Sequence, residues 1–98
     1  MSDAFANEQI VVSLTTVGPD LTVVNGGPSV TTRAVLSVQN GDLLLRYDGG
    51  DPDTSGEGIL ITAGTVLTVD GAENVRNILM VRSGAVDADV NATYETGV

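Results

Sequence analysis

Cysteine, histidine, lysine and tryptophan are all absent from this chain of 98 residues. Without cysteine there are no disulfides and no thiolate metal sites, and without histidine the commonest general base is missing. The absence of lysine removes Schiff-base chemistry. With only one Phe and two Tyr, the chain also lacks the aromatic platforms on which sugars usually stack. The sequence therefore predicts a protein that is not an enzyme and needs no cofactor.

Positive charge is scarce as well. Four arginines stand against 13 Asp and Glu residues, which gives a formal net charge of −9. An acidic chain without a basic cluster is repelled by nucleic acid and by anionic lipids. No apolar run approaches the length of about 20 residues that a membrane span needs, and the N-terminal segment lacks the basic start and apolar stretch of a secretion signal. We therefore expect no nucleic acid and no membrane among its partners.

Long hydrophobic runs are missing, and a chain of this length buries only a thin core. No disulfide can reinforce that core. Small domains without such reinforcement often gain stability by burying surface against copies of themselves or against a partner. The sequence therefore predicts a homo-oligomer or a subunit bound to other proteins.

Alternation of apolar and polar residues with period two dominates the chain, and no segment longer than one turn has the period of a helix. The pattern predicts a single all-β domain over residues 1–98, with about eight short antiparallel strands in a sandwich or jelly-roll-like arrangement. Residues 1–7 are predicted to be a flexible N-terminal arm and residues 96–98 a loose C-terminus. The predicted strands are residues 8–17, 21–24, 29–39, 42–47, 59–62, 65–69, 74–82 and 85–95.

Some of these strands carry specific expectations. Asn40-Gly41 suits a tight type I′ turn, so strands 29–39 and 42–47 are predicted to pair as a hairpin. Strand 74–82 is apolar on both faces, as expected of a central strand or of one covered by another subunit. In strand 85–95 the inward side chains are predicted to be Val86, Ala88, Val90, Ala92 and Tyr94.

The loop after the predicted hairpin is rich in carboxylates and glycine. Hard oxygen ligands of this kind are what calcium prefers, although the spacing is not that of an EF-hand. The alternative, which we favour, is a solvated loop in which Asp and Gly satisfy turn geometry. The weak candidate calcium ligands are Asp48, Asp51, Asp53 and Glu57.

The four arginines all fall in predicted strands and none in a loop. In a chain with excess carboxylates, each can pair with an Asp or Glu of an adjacent strand or of an adjacent subunit. At a subunit interface such pairs fix orientation and register, whereas a surface pair within the chain contributes only about 0–1 kcal/mol. Intrachain pairing is the alternative that we favour. The interface candidates are Arg33, Arg46, Arg76, Arg82 and, in the arm, Phe5.

Four segments between residues 43 and 95 follow one order of turns and strands. They are L-L-R-Y-D-G-G-D-P-D-T at 44–54, G-I-L-I-T-A-G-T-V-L-T at 58–68, G-A-E-N-V-R-N-I-L-M-V-R at 71–82 and V-N-A-T-Y-E at 90–95. Together they resemble small structural proteins of tailed bacteriophages, in which an acidic Asp-Gly turn precedes an apolar strand pair, a further strand and a closing strand that ends in Tyr. The resemblance covers a little over half of the chain.

The resemblance implies a virion component, made in the host cytoplasm. Packaged DNA fills a capsid with negative charge and repels an acidic domain, so the outer capsid surface is the expected location. The implied function is that of a decoration (cement) protein, which binds the major capsid protein or other virion proteins of the assembled shell and stabilises it. An alternative among virion proteins is a head–tail connector, collar or tail component. A host-recognition or carbohydrate-binding module is the alternative from another class.

Overall fold

The computed structural model describes residues 3–26, 30–52 and 58–96. These residues contain seven strands and two short helices, joined by turns and loops. Strands dominate, so the predicted all-β class is confirmed, with one strand fewer among these residues than the about eight expected. The elements in chain order are β1 (Asp3–Val12), α1 (Leu21–Val24), β2 (Thr31–Gln39), β3 (Leu43–Arg46), β4 (Ile59–Ile61), β5 (Val66–Asp70), α2 (Ala72–Arg76), β6 (Leu79–Arg82) and β7 (Ala88–Thr96).

The strands form two antiparallel sheets that share one core. The four-stranded sheet has the order β1-β7-β2-β5, and the three-stranded sheet has the order β4-β3-β6. Every strand contributes apolar side chains to a single buried cluster, in which Tyr94 is the largest fully buried residue. The finer assignment to a sandwich or jelly roll stays a prediction.

The alternation predicted for the last strand is confirmed. Ala88, Val90, Ala92 and Tyr94 of β7 are all completely buried, as period two requires when one face of a strand lies against the core. Val86 is the exception, because it lies in the turn before β7 and is exposed.

β1 begins at Asp3, so the predicted flexible arm over residues 1–7 is wrong for the part that the structure describes. These residues pair with the end of β7, starting with Asp3 opposite Thr96. A register shift between Ala4 and Ala6 bulges the strand, and the extra residue hides the period-two alternation in the sequence. Thr96 belongs to β7 and not to a loose C-terminus. Residues 1, 2, 97 and 98 of the two predicted ends lie outside the described residues.

The predicted hairpin at Asn40-Gly41 is wrong, because β2 and β3 belong to different sheets. Only Asn40 has a positive φ, at 69°, whereas a type I′ turn needs positive φ at both residues. Gly41 instead permits a close approach: a Cβ atom there would lie 2.8 Å from the carbonyl oxygen of Val86 and 2.9 Å from that of Asp87. The Asn-Gly pair therefore carries the chain from one sheet to the other.

Two segments predicted as strands are helical. Residues 21–24 form α1, which begins after Asp20, whose side chain accepts a hydrogen bond from the Thr22 N–H at 2.9 Å. The start of the predicted strand 74–82 belongs to α2, where Arg76 pairs with Glu73, three residues earlier. A helix of one turn is too short to display a helical period, so local caps and ion pairs are its only signals.

β6, the predicted two-sided apolar strand, is enclosed by its own chain. β3 pairs with one edge of β6, and residues 13–17, predicted as part of the first strand, run along the other edge. There Val17 and Met80 exchange backbone hydrogen bonds, and the Arg82 N–H donates to the Ser13 carbonyl at 2.9 Å. Met80 and Val81, on opposite faces, are both buried. The two-sided apolarity of this strand therefore gives no evidence for a covering subunit.

Candidate interaction surface

Arg33 and Arg82, two of the predicted interface residues, are held by carboxylates of the same chain. Arg33 Nε lies 2.7 Å from Asp70 Oδ1, and its Nη1 lies 3.6 Å from Glu95 Oε1 on the next strand. Arg82 Nη1 lies 2.7 Å from Asp87 Oδ1. These ion pairs lie within the chain, as in the alternative that we favoured from the sequence. Contact of the arginines with a partner stays a prediction.

Arg46 and Arg76 also pair within the chain. Arg46 donates to both carboxylate oxygens of Asp48, from Nε at 3.0 Å and from Nη2 at 2.8 Å. Arg76 pairs with Glu73 in α2, so the prediction that all four arginines lie in strands is wrong for Arg76. The excess acidity of the chain is therefore carried by carboxylates other than those that the arginines neutralise.

The acidic loop is organised around Arg46 in the part that the structure describes. Besides Arg46, Asp48 accepts the Gly50 N–H at 3.2 Å, and Arg46 Nη1 donates to the Asp51 carbonyl at 3.2 Å. The hydrogen bonds from Arg46 and Gly50 lower the pKa of Asp48 to about 2. The other calcium candidates, Asp53 and Glu57, lie outside the described residues.

A calcium ion in this loop would compete with the Arg46 guanidinium for the Asp48 carboxylate. Among the described residues, no three His, Cys, Asp or Glu side chains are grouped as a metal site. Calcium binding stays a prediction, and a shift of the melting temperature on adding calcium is its test.

The aromatic residues are divided between the core and one exposed position. Tyr94 is completely buried, and Phe5 is half-buried and packs against the core cluster. Phe5, predicted as an interface residue on a flexible arm, thus lies in β1 and contributes to its own domain. Tyr47, directly after β3, is 39% exposed. It is the aromatic side chain that a partner can reach.

Tyr47 lies on the side of the domain where both sheets end. β4 is an edge strand of one sheet and β5 is an edge strand of the other. The short segment 62–65 connects them, with the Thr65 N–H donating to the Thr62 carbonyl at 3.1 Å. The two strands are neighbours, because Ile59 of β4 and residues 67–70 of β5 line one groove. This side presents apolar side chains: Ile59 is 48%, Leu60 58% and Val66 64% exposed.

Proteins protect edge strands with lysines and other charges, prolines, bulges, covering segments or very short strands. Of these devices, β4 has only its length of 3 residues and β5 only the charge of Asp70 at its end. β4 and β5 contain neither lysine nor proline, and their pairings show no register shift. By contrast, β1 is bulged and β6 is flanked by residues 13–17. The β4–β5 side is thus the least protected side of the described chain.

The backbone of β5 has hydrogen-bonding groups directed away from its own sheet. The Val38 N–H donates to the Thr65 carbonyl at 2.9 Å, and the Gly71 N–H donates to the Thr32 carbonyl at 2.7 Å. Thr65 and Gly71, directly before and after β5, therefore direct these backbone groups toward β2. Because successive residues direct these groups to opposite sides, those of Val66 and Thr68 point away from β2. The described residues place no further strand against them.

A groove of about 300 Å³ follows this edge of β5. Residues 67–70 of β5 line one side, and Tyr47, Ile59 and Asn74 complete it. A second cavity of about 390 Å³, lined by residues 45–48, Gly58 and Ile59, adjoins it and shares Tyr47 and Ile59. We call the first of these, with its residues 67–70, Tyr47, Ile59 and Asn74, the edge groove.

The edge groove is not predicted from the sequence. The strands predicted at 59–62 and 65–69 are present as β4 and β5, but nothing in either segment places it at a sheet edge, since strand order depends on non-local pairing. The absence of lysine together with the consecutive apolar residues Ile59-Leu60-Ile61 is the signal that could have identified an unprotected edge.

Comparison with known proteins gives no identification. No family model, curated protein or solved structure matches the chain. Neither of the helices in the described residues has the length and apolar character that crossing a membrane requires.

Proposed function

We propose that this protein is a structural component of a tailed bacteriophage particle, a capsid decoration (cement) protein that binds the outer face of the assembled shell. The observation that carries the proposal is the unprotected β4–β5 side with exposed Ile59, Leu60 and Val66. An apolar, unpaired sheet edge is costly to leave in water and prone to pair with other chains. A protein whose role is to bind a larger assembly covers that edge when it binds.

The charge of the chain supports an outward position. Its net charge of −9 is unfavourable beside packaged DNA, whose phosphates dominate the interior of a filled capsid. All four arginines pair with carboxylates of their own chain, so a phosphate group would have to compete with these carboxylates for them. The order of segments between residues 43 and 95, with its resemblance to small phage structural proteins, supports the same class of function.

The proposed mechanism is stabilisation by linkage. A decoration protein that binds the assembled lattice and not the free subunit raises the free energy of disassembly, by an amount that grows with its concentration relative to its dissociation constant. The proposal includes the major capsid protein or another virion protein as the partner. It also includes self-assembly into a homo-oligomer, which light scattering of the free protein measures.

The test uses particles that lack the protein. Purified protein is added to them, binding is measured by co-sedimentation, and the temperature of DNA release is recorded with and without it. We expect saturable binding and a higher release temperature. An electron-microscopy reconstruction then distinguishes a shell location from the collar or tail. Lack of binding, or an unchanged release temperature, contradicts the decoration function.

A further inference from the structure

We propose that the free edge of β5 accepts an extended, basic strand from the partner protein, which adds as a fifth strand to the sheet β1-β7-β2-β5. The inference rests on the proposed function, because it takes the partner to be a protein of the shell. It goes beyond that function by naming the atoms that bind and the kind of segment that they recognise.

Backbone geometry is the first argument. Val66 and Thr68 direct their N–H and C=O groups away from β2, at the spacing with which a strand offers hydrogen bonds to a neighbour. At the end of the strand, Asn74 Nδ2 donates to the Asp70 carbonyl at 2.9 Å and so occupies that acceptor. Among the described residues the edge is therefore open at Val66 and Thr68 and closed at Asp70, which defines where an added strand begins to pair. Strand addition of this kind obtains affinity from main-chain hydrogen bonds and specificity from pockets for alternate side chains.

The edge groove supplies those pockets. An added strand beside β5 would direct every second side chain toward Tyr47 and Ile59, both of which are partly exposed. Leu67 is only partly buried and packs against the core, so the floor of the groove is apolar as well. We therefore infer that the residues of the incoming strand that face the groove are apolar, in an alternating pattern.

Charge selects between a second copy of this chain and a different protein. Asp70 lies at the end of β5 with its side chain 68% exposed, although Arg33 contacts it. A second copy brings a further −9 and has no lysine, so charge disfavours a second copy at this edge, and self-assembly would use another surface. A partner strand with Lys or Arg near Asp70 is attracted instead, because opposite charges on adjacent strands stabilise their pairing. The occupant that we propose is thus a basic segment of another protein.

A matched pair of variants at Thr68 tests the backbone contact. Thr68→Pro removes an N–H that points away from β2, so it blocks an added strand without removing a hydrogen bond of the domain's own ladder. Thr68→Val keeps that N–H and the β-branched shape. Circular dichroism and the melting temperature establish that both variants fold. We expect T68V to bind particles lacking the protein as the unsubstituted chain does, and T68P to bind at least tenfold more weakly.

A second pair tests the charge. Asp70→Asn and Asp87→Asn each remove one carboxylate and one arginine partner, but only Asp70 lines the edge groove. We expect D70N to weaken binding to the particles several-fold and to reduce its dependence on salt, whereas D87N has the affinity of the unsubstituted chain. Hydrogen exchange of the unsubstituted protein, with and without particles, provides a readout that needs no variant. We expect protection of the Val66 and Thr68 amides on binding.

The outcomes separate this inference from the proposed function. If the unsubstituted protein does not bind the particles, the decoration function is wrong and the inference falls with it. If T68P binds as tightly as T68V and the Val66 and Thr68 amides gain no protection, the function stands and strand addition at β5 is wrong. If the free protein is a dimer that T68P converts to a monomer, the occupant is a second copy and the basic partner strand is wrong.

Discussion

The hydroxyl of Tyr94 donates a hydrogen bond to Glu8 Oε1 at 2.6 Å, and so joins the last strand of the chain to the first. Both oxygens of Glu8 also lie 3.2 Å from the Asp20 N–H, at the residue that caps α1. One carboxylate therefore connects β7, β1 and the start of α1. Because Tyr94 is completely buried, its hydroxyl has no alternative partner in water.

Replacing Tyr94 with Phe tests this contact. The change keeps the ring in the core but removes one of the two donors to Glu8, and we expect the free energy of unfolding to fall by about 1.5–3 kcal/mol, as for other hydrogen bonds to charged groups. Urea denaturation measures it. The control is Tyr47→Phe at an exposed ring, where we expect a change within about 0.5 kcal/mol. Equal effects of the two substitutions would contradict a stabilising role of the Tyr94 hydroxyl.

Alkaline pH should destabilise the protein through the same residue. Burial, and then the hydrogen bond to Glu8, raise the pKa of Tyr94 above the usual value. Below about pH 10, the usual pKa of tyrosine, the hydroxyl is protonated in both states and its contribution is complete. Above that pH the unfolded state releases the proton while the folded state keeps it, so the free energy of unfolding falls.

Unfolding curves between pH 8 and pH 11.5 measure this effect. We expect the stability of the unsubstituted protein to fall more steeply above about pH 10 than that of Y94F, which has no hydroxyl to titrate at this position. Parallel curves for the two proteins would show that Tyr94 does not cause the alkaline loss.

The Arg46–Asp48 pair makes a prediction at acid pH. The pKa of Asp48 is lowered to about 2, chiefly by its hydrogen bonds from Arg46 and Gly50. The contribution of the pair is therefore complete above the usual Asp pKa of about 3.9 and is lost as the pH falls through about 2. In Arg46→Gln, we expect the pKa of Asp48 to rise toward about 3.9. Carboxyl chemical shifts in NMR measure it, with Arg76→Gln as the control that leaves the Asp48 titration unchanged.

Gly41 permits the close approach between the β2–β3 connection and the segment before β7. A Cβ atom at this position would lie 2.8 Å from one carbonyl oxygen and 2.9 Å from another, so Gly41→Ala forces a shift of backbone. We expect a loss of about 1–3 kcal/mol of stability, the range for overpacked sites. Gly84→Ala is the matched control, since nothing lies within 4 Å of a Cβ there. If G41A is as stable as G84A, the contact imposes no constraint.

The strands that were predicted correctly are those whose two faces differ in environment. In β7 and β2, alternate side chains enter the core, so the burial pattern follows the alternation of apolar and polar residues in the sequence. The same reasoning failed for β1, where the bulge at Ala4–Ala6 adds a residue and breaks the alternation. It failed for α1 and α2 because helices of 4 and 5 residues have no measurable period.

Pairing between strands was the part that local sequence could not determine. Asn40-Gly41 has the composition of a hairpin turn, but the space at Gly41 is limited by the carbonyls of Val86 and Asp87, which are distant in sequence. The ion pairs of the arginines include one between residues close in sequence and one between residues far apart in sequence. Arg76 pairs with Glu73 at helical spacing, whereas Arg33 pairs with Asp70 across two strands. The edge groove is likewise a product of strand order, and no short segment encodes it.

The pairing of Asp3 with Thr96 has a consequence for synthesis of the chain. β7 follows all the other described elements along the chain, so β1 has no partner in its sheet until β7 has been synthesised. Contacts of such large sequence separation also slow folding. A circular permutant that links the two ends and opens the chain at Gly84 would turn β7 and β1 into a local hairpin, and the order of assembly would be reversed.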